Sequence, residues 1–204
     1  MPIVVAQNAE IAGLSAELPP LQRLAVAYAP AALRPAWTAL ILLDHRLARA
    51  VAGASEPLIG QLKLAWWRDR TREPASRWPA GEPLLAAMKS FDGERAALEA
   101  LVDGWEGLID AEADGGALAR LADARAGAVA ALARIVARIV GCVADPQAIA
   151  TLARQWTLPG EGAGAAIRLP RALRPLLILA NLPDPAHSGP MALLRLVRLG
   201  MFGR

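Results

Sequence analysis

The stretch Ser55–Arg70, SEPLIGQLKLAWWRDR, decides how the rest of the chain is read. It has the marks of a helix start. Ser55 is suited to accept a bond from a free backbone N–H as N-cap, Glu56 suits the positive end of the dipole, and Pro57 presets φ in the first turn. Leu58, Ile59, Leu62, Ala65 and Trp66 then recur at three- and four-residue spacing and share one face. Gly60, Leu64 and Trp67 form a second apolar face roughly opposite, leaving Gln61, Lys63, Arg68 and Arg70 in two narrow polar strips. A helix apolar on two sides is normally packed on two sides. Gly60 costs about 1 kcal/mol against Ala in a helix interior, which close approach of a neighbouring helix would offset. The expectation is a helix in the middle of an all-helical domain.

Upstream, Pro19-Pro20 opens a short helix over Leu21–Ala29, and Ala31–Val51 is a long one with Pro35 near its start, where a missing N–H is tolerated. On a 100°-per-residue wheel, Leu33, Trp37, Leu40, Ile41, Leu47, Ala48 and Val51 cluster around Asp44, while His45, Arg46 and Arg49 lie on the other side. Asp44 is thus the one charge in the middle of an apolar stripe. An unpaired buried carboxylate is expensive, so Asp44 is paired to an arginine or to helix N–H groups, protonated, or facing a wet cavity as part of a metal or diphosphate site.

Downstream, Glu73–Pro83 reads as a loop, Leu84–Lys89 as a helical turn, and Asp92 as the cap of a helix to about Glu112. That helix carries Leu98, Leu101, Val102, Trp105, Leu108 and Ile109 on one side and Glu99, Asp103, Glu106 and Asp110 on the other. Four carboxylates so spaced suit a solvated face more often than a cation site. After the Gly115-Gly116 break, Leu118–Val140 is an Ala-rich helix ended by Gly141, in which Gly127, Ala128 and Ala131 permit tight helix contact. Asp145-Pro146 starts a helix to about Thr157. Pro159–Gly164 is a loop, and Leu169–Asn181 and Pro190–Phe202 are two short basic helices. Nothing alternates as a strand does.

With 204 residues, 55% of them hydrophobic, the chain is expected to form a single domain over 1–204, with an N-terminal arm at 1–18 and basic C-terminal helices at 165–204. Positive charge is almost all arginine, with Lys63 and Lys89 the only lysines, and a net charge of +3 is a weak argument for nucleic acid. The charge is uneven: Asp92–Asp114 holds eight acids and one base, and Arg168–Arg204 six arginines and one acid. One cysteine, Cys142, excludes an internal disulfide, and two histidines, His45 and His187, are too few for a His-based metal site. The start, MPIVVAQNAEIAG, lacks the basic region of a signal peptide, and the longest uncharged apolar run, Pro35–Leu43, is too short to span a bilayer. No nucleophile elbow, Walker sequence or dinucleotide fingerprint occurs, and PGEGAG has neither the preceding strand nor the Lys-Ser/Thr ending of a phosphate loop.

The run YAPAALRPAWTALILLDHRLARAVAGASEPLIGQLKLAWWRD resembles the first half of the squalene/phytoene synthase family. Arg34 stands where that family has an Arg at the start of a long helix, and Asp44 stands in its first aspartate motif. Glu56-Pro57, then Lys63-Leu64 through Trp67-Arg68, match the segments that follow. LVDGWEGLID (Leu101–Asp110) and LADARAGAVAALARIVARIVG resemble the next two helices, so the likeness covers about residues 20–141. It implies the all-α isoprenoid-synthase fold, a bundle of seven to nine helices around a cavity, here truncated on its C-terminal side.

The family's enzymes condense prenyl diphosphates, with two aspartate motifs holding Mg²⁺ against the leaving diphosphate. Here the position four after Asp44 is Ala48, and the second motif's segment, AIATLARQWTLPG, has no acid before Glu161. Three readings follow. The first is a non-catalytic binding or assembly protein, similar to the family's complex I assembly branch, needing no cofactor and meeting a protein partner or a prenyl or lipid ligand. The second is an active Mg²⁺-dependent prenyl transferase in isoprenoid or carotenoid biosynthesis, in which Asp44 is the metal ligand, Asp69 or Asp103 adds carboxylates, and Arg34 lies at the diphosphate site. The third is a bundle that binds no ligand. The expected location is cytoplasmic, with Arg195 and Arg198 of the last helix resting on the inner membrane.

Overall fold

Proline sets most of the helix starts. The computed structural model describes residues 12–53, 56–109, 116–159, 167–183 and 190–203, and among these every regular element is helical. Helical residues 12–16 precede α1 (Pro20–Ala27), α2 (Arg34–Ala52), α3 (Pro57–Arg72), α4 (Pro83–Ala87), α5 (Arg95–Glu106), α6 (Ala117–Val140), α7 (Pro146–Thr157), α8 (Arg174–Leu179) and α9 (Pro190–Phe202). In α1–α4, α7 and α8 a proline occupies one of the first two positions, where its missing N–H costs nothing and its φ suits the turn. Two starts also have side-chain caps: Glu82 accepts from Leu84 N–H, and Asp145 accepts from Gln147 N–H. The Ala-rich helix stops at Gly141, whose φ of 67° is the left-handed C-cap conformation that glycine adopts without strain. The proposed N-cap Ser55, the 1–11 part of the arm, Asp110 and most of the PGEGAG loop lie outside the described residues.

The centre of the bundle is α2, not α3. From Ala36 to Asp44 every residue of α2 is buried, with Leu47 and Ala50 beyond, so this helix is covered all round by α1, α3, α4, α5 and α6. In α3 only Gly60, Leu64, Trp67 and Thr71 are buried. Its other apolar face is open: Leu58 and Leu62 are 61% and 64% exposed, Ile59 and Trp66 about 40%. The expectation that α3 is packed on both sides is corrected. The strip Gly60, Leu64 and Trp67 meets α2 and α5, and no described residue covers the opposite side. Periodicity shows that both faces are apolar but not which one has a neighbour.

A close approach of two helices lies at Gly104. A Cβ on Gly104 would stand 2.9 Å from Ala124 Cβ and 3.2 Å from Leu121 Cα, so α5 and α6 touch backbone to backbone there. Gly127 faces open space, although Ala128 and Ala131 beside it are buried. The helix expected from Asp92 starts at Arg95 instead, because the Asp92 carboxylate accepts from Ala75 N–H (2.9 Å) and from Arg95 rather than capping its own helix. Those bonds, the backbone one foremost, hold the Asp92 carboxyl below the usual range.

The C-terminal part is core before it is basic. Pro175–Leu179 of α8 are all buried, and Trp37 Nε1 donates to Ala172 O at 3.0 Å, tying this segment to the first turn of α2. The last helix, α9, buries Leu196 and seats Gly200 on the Tyr28 ring, where a Cβ would come within 2.6 Å of ring carbons. Arg174 Nη1 donates to Met201 O (2.5 Å) and Gly200 O, satisfying carbonyls at the end of α9.

Candidate functional site

Asp44 and Arg125 meet in the interior. Each is the lone charge on a buried stripe. Asp44 sits among Leu40, Ile41 and Leu47 on α2, and Arg125 follows Leu121 and precedes Ala128 and Leu132 on α6. Facing stripes bring them together at 5% and 6% exposure. The guanidinium grips the carboxylate with both prongs, Nε to Oδ1 at 3.1 Å and Nη2 to Oδ2 at 3.1 Å, a fork that only arginine supplies. Trp105 Nε1, from α5, adds a third donor to Asp44 Oδ1 at 2.9 Å. The remaining prong of Arg125, Nη1, donates to Thr157 Oγ1 at the end of α7 (2.5 Å). The guanidinium carbon lies 4.6 Å from the Trp156 ring centroid and 5.5 Å from that of Trp105, so two indoles close it off from water. Four helices thus converge on one neutralised charge pair.

The other predicted residues do not join it. Arg34 is exposed at the start of α2 and donates to Ala29 O (3.1 Å) and Ala27 O (3.2 Å), holding the chain turn after α1. Asp69 lies on the open face of α3 and is exposed, so it does not converge with Asp44. Asp103 pairs with Arg68 Nε at 2.7 Å on the rim between α3 and α5. The acidic side of α5 is therefore an interhelix ladder rather than a freely solvated face. Arg68 also bonds Glu106, and Arg72 bonds Glu99 at 2.5 Å. The hydrogen bond to Glu106, and behind it the Asp103 pair, raise Arg68 above its ordinary value against the opposing effect of burial. Arg195 and Arg198 are exposed on α9, and Arg195 donates to Asn181 Oδ1 at 3.2 Å.

A Mg²⁺ cluster does not fit this interior. Both Asp44 oxygens already accept from Arg125 or Trp105, Ala48 occupies the next turn of α2, and the α7 sequence PQAIATLARQWT holds no acid. Among the described residues no three His, Cys, Asp or Glu side chains group as a metal site would need. An arginine partner is one of several alternatives the sequence leaves open for Asp44, and sequence reasoning does not single out Arg125, Trp156 or Thr157. The signal for Arg125 was present: the test that singles out Asp44, a charge inside an apolar stripe, picks out Arg125 on α6 equally well.

Compared with known proteins, residues 23–155 match the family model described as squalene/phytoene synthase. The match runs from α1 through nearly all of α7 and includes both members of the buried pair. Beyond it, no curated protein and no solved structure matches the chain.

Proposed function

The chain belongs to the squalene/phytoene synthase family, and from that premise we propose that it is a non-catalytic member, a binding or assembly protein working through its outer surface. One observation supports the reading: Arg125 donates to both carboxylate oxygens of Asp44, the group that would have to be free to hold a metal against a diphosphate. A diphosphate leaves only when cations and donors share its charge, and those must be free to do so. Here the cation is a side chain of the same fold, locked by Asp44, Thr157 and two indoles. On this reading the buried Asp44 is engaged by its own chain, and contacts with other molecules fall to the surface. Among the described residues no helix is long and apolar enough to cross a bilayer.

The test is calorimetric titration with farnesyl or geranylgeranyl diphosphate, with and without Mg²⁺, on the wild type, Asp44→Ala and Asp44→Asn, with melting curves for each. The expected result is no metal-dependent binding in any of them, and lower melting temperatures for both variants. Binding that requires both Mg²⁺ and Asp44 would reverse the reading and make this an active prenyl transferase.

A further inference from the structure

The open face of α3 is a ridge of large apolar side chains with a cationic pocket beside it. Leu58, Ile59, Leu62 and Trp66 project from successive turns, all between 40% and 64% exposed. Apolar residues scattered singly on a surface need no explanation, but four on one helix face form a contiguous patch. Edge-on to Trp66, with ring centroids 4.8 Å apart, stands Trp67, which is also a wall of the neighbouring pocket. That pocket, about 570 Å³, lies between α2 and α3, and its described lining includes Arg46, Arg49, Lys63 and Trp67 and no acid.

The cations of this region differ in their engagement. Arg46 bonds Glu82 and Glu17, Arg68 and Arg72 bond the acids of α5, and Arg70 bonds Glu73. Arg49 and Lys63 have no carboxylate partner among the described residues, and both open into the pocket. Lys63 follows Ile59 by four residues and precedes Trp66 by three, so on a helix it borders the ridge directly. Two acids flank the ridge. Glu56 precedes its first turn and Asp69 follows Trp66 by three residues, and both are exposed. They leave the stretch from Leu58 to Trp66 free of negative charge.

From this juxtaposition we propose that α3 docks the protein on an anionic lipid bilayer, the ridge lying among the acyl chains and the Arg49–Lys63 pocket receiving a lipid phosphate. The chemistry of the two halves is that of the interface itself. Leucine and isoleucine enter the acyl boundary, an indole sits at headgroup depth, and free cations meet phosphate. A protein partner would need an acidic rim around an apolar groove. A bilayer presents that order of layers everywhere. The proposal is independent of whether Asp44 can hold a metal.

The experiment is co-sedimentation of the full chain with phosphatidylglycerol–phosphatidylcholine vesicles and with pure phosphatidylcholine vesicles. The variants are Leu58→Ser/Leu62→Ser on the ridge, Arg49→Gln/Lys63→Gln in the pocket, and Leu193→Ser/Leu194→Ser on α9, whose side chains are also exposed. All six positions lie outside the core, and melting temperatures confirm that each variant folds. The expected result is wild-type binding that favours the anionic vesicles. The ridge variant should lose about tenfold or more in partitioning, as removal of two inserted leucines implies. The pocket variant should lose about fivefold per cation, on the anionic vesicles only. The α9 variant should bind like the wild type. Absence of wild-type binding, or binding unchanged by the ridge and pocket variants, overturns the proposal. So does loss confined to the α9 variant, or a ridge variant whose only effect is to dissociate an oligomer.

Discussion

Two of the arginine–carboxylate sets in this bundle differ most, one at its centre and one at its rim. At the centre Arg125 and Asp44 have side chains only 8% and 7% exposed, and every bond they make is to another buried or half-buried group. At the rim Arg68 and Arg72 reach from α3 to Asp103, Glu106 and Glu99 of α5, with Asp103 51% and Arg72 56% exposed. The rim has more charges and more pairs. The centre has more consequence, because removing one member leaves the other without water to fall back on. Depth, not number, sets what an ion pair does here. The pair sits inside the core, while the ladder lines the rim beside the buried strip of Leu64 and Trp67, whose packing leaves the ridge of α3 outside.

The sharpest way to break that contrast is Asp44→Ala. It strands the Arg125 guanidinium between two indoles and should cost about 3–5 kcal/mol in urea or thermal unfolding. The double variant Asp44→Leu/Arg125→Met removes both charges at similar volume and should recover most of the loss. Recovery would mark the pair as a closure of the core. Next in size is Gly104→Val. With Ala124 Cβ already 2.9 Å from where a Cβ would stand, a branched side chain must push α5 from α6, at about 1–3 kcal/mol. That separation would also draw Trp105 from Asp44, and loss of fluorescence polarity around the indole would accompany it. A Gly104→Val protein as stable as the wild type would show that the α5–α6 contact can yield.

Much of the fold could be read before any coordinates. The prolines at helix starts, the Asp145 cap and the Gly141 stop act through the local backbone, and the chain obeys them. The stripe around Asp44 was legible for the same reason, since periodicity is a property of one helix. What escaped needs two helices. The partner of Asp44 lies 81 residues away, and although the stripe on α6 marks Arg125 as an inward charge, no local pattern says that the two stripes face each other. The site of α3 escaped because its two apolar faces are equivalent in sequence. Only the ladder to α5 and the fit of Gly60, Leu64 and Trp67 against α2 decide between them. The acids of α5 looked solvated for a related reason: their partners stand on α3.

Between centre and rim stands Glu94, and pH can grade it. Its side chain is 10% exposed and accepts from Arg134 Nη2 at 2.7 Å and Arg138 Nη1 at 2.9 Å. The bond from Arg134, then that from Arg138, holds its carboxyl below the usual range, against the effect of burial. A carboxyl depressed on folding stabilises above its unfolded pKa, and the contribution disappears as pH falls through the folded one. Glu94→Gln should therefore lower stability by about 1–2 kcal/mol at neutral pH, with the gap to the wild type closing in acid. A gap independent of pH would mean that Glu94 acts through packing alone.

The rim ladder should give the smallest effect and the clearest salt dependence. Arg72→Gln removes one exposed pair and should cost less than about 1 kcal/mol at low ionic strength. Added salt should shrink that loss, since exposed charges are screened over about a Debye length. The same salt should leave the Asp44→Ala loss nearly unchanged, because that pair is shielded by protein rather than by ions. Measuring the two variants side by side across ionic strength therefore tests the contrast directly. If Arg72→Gln instead costs as much as Asp44→Ala and resists salt, the ladder is part of the core. The exposed ridge of α3 would then owe its position to electrostatics and not to the packing of Leu64 and Trp67.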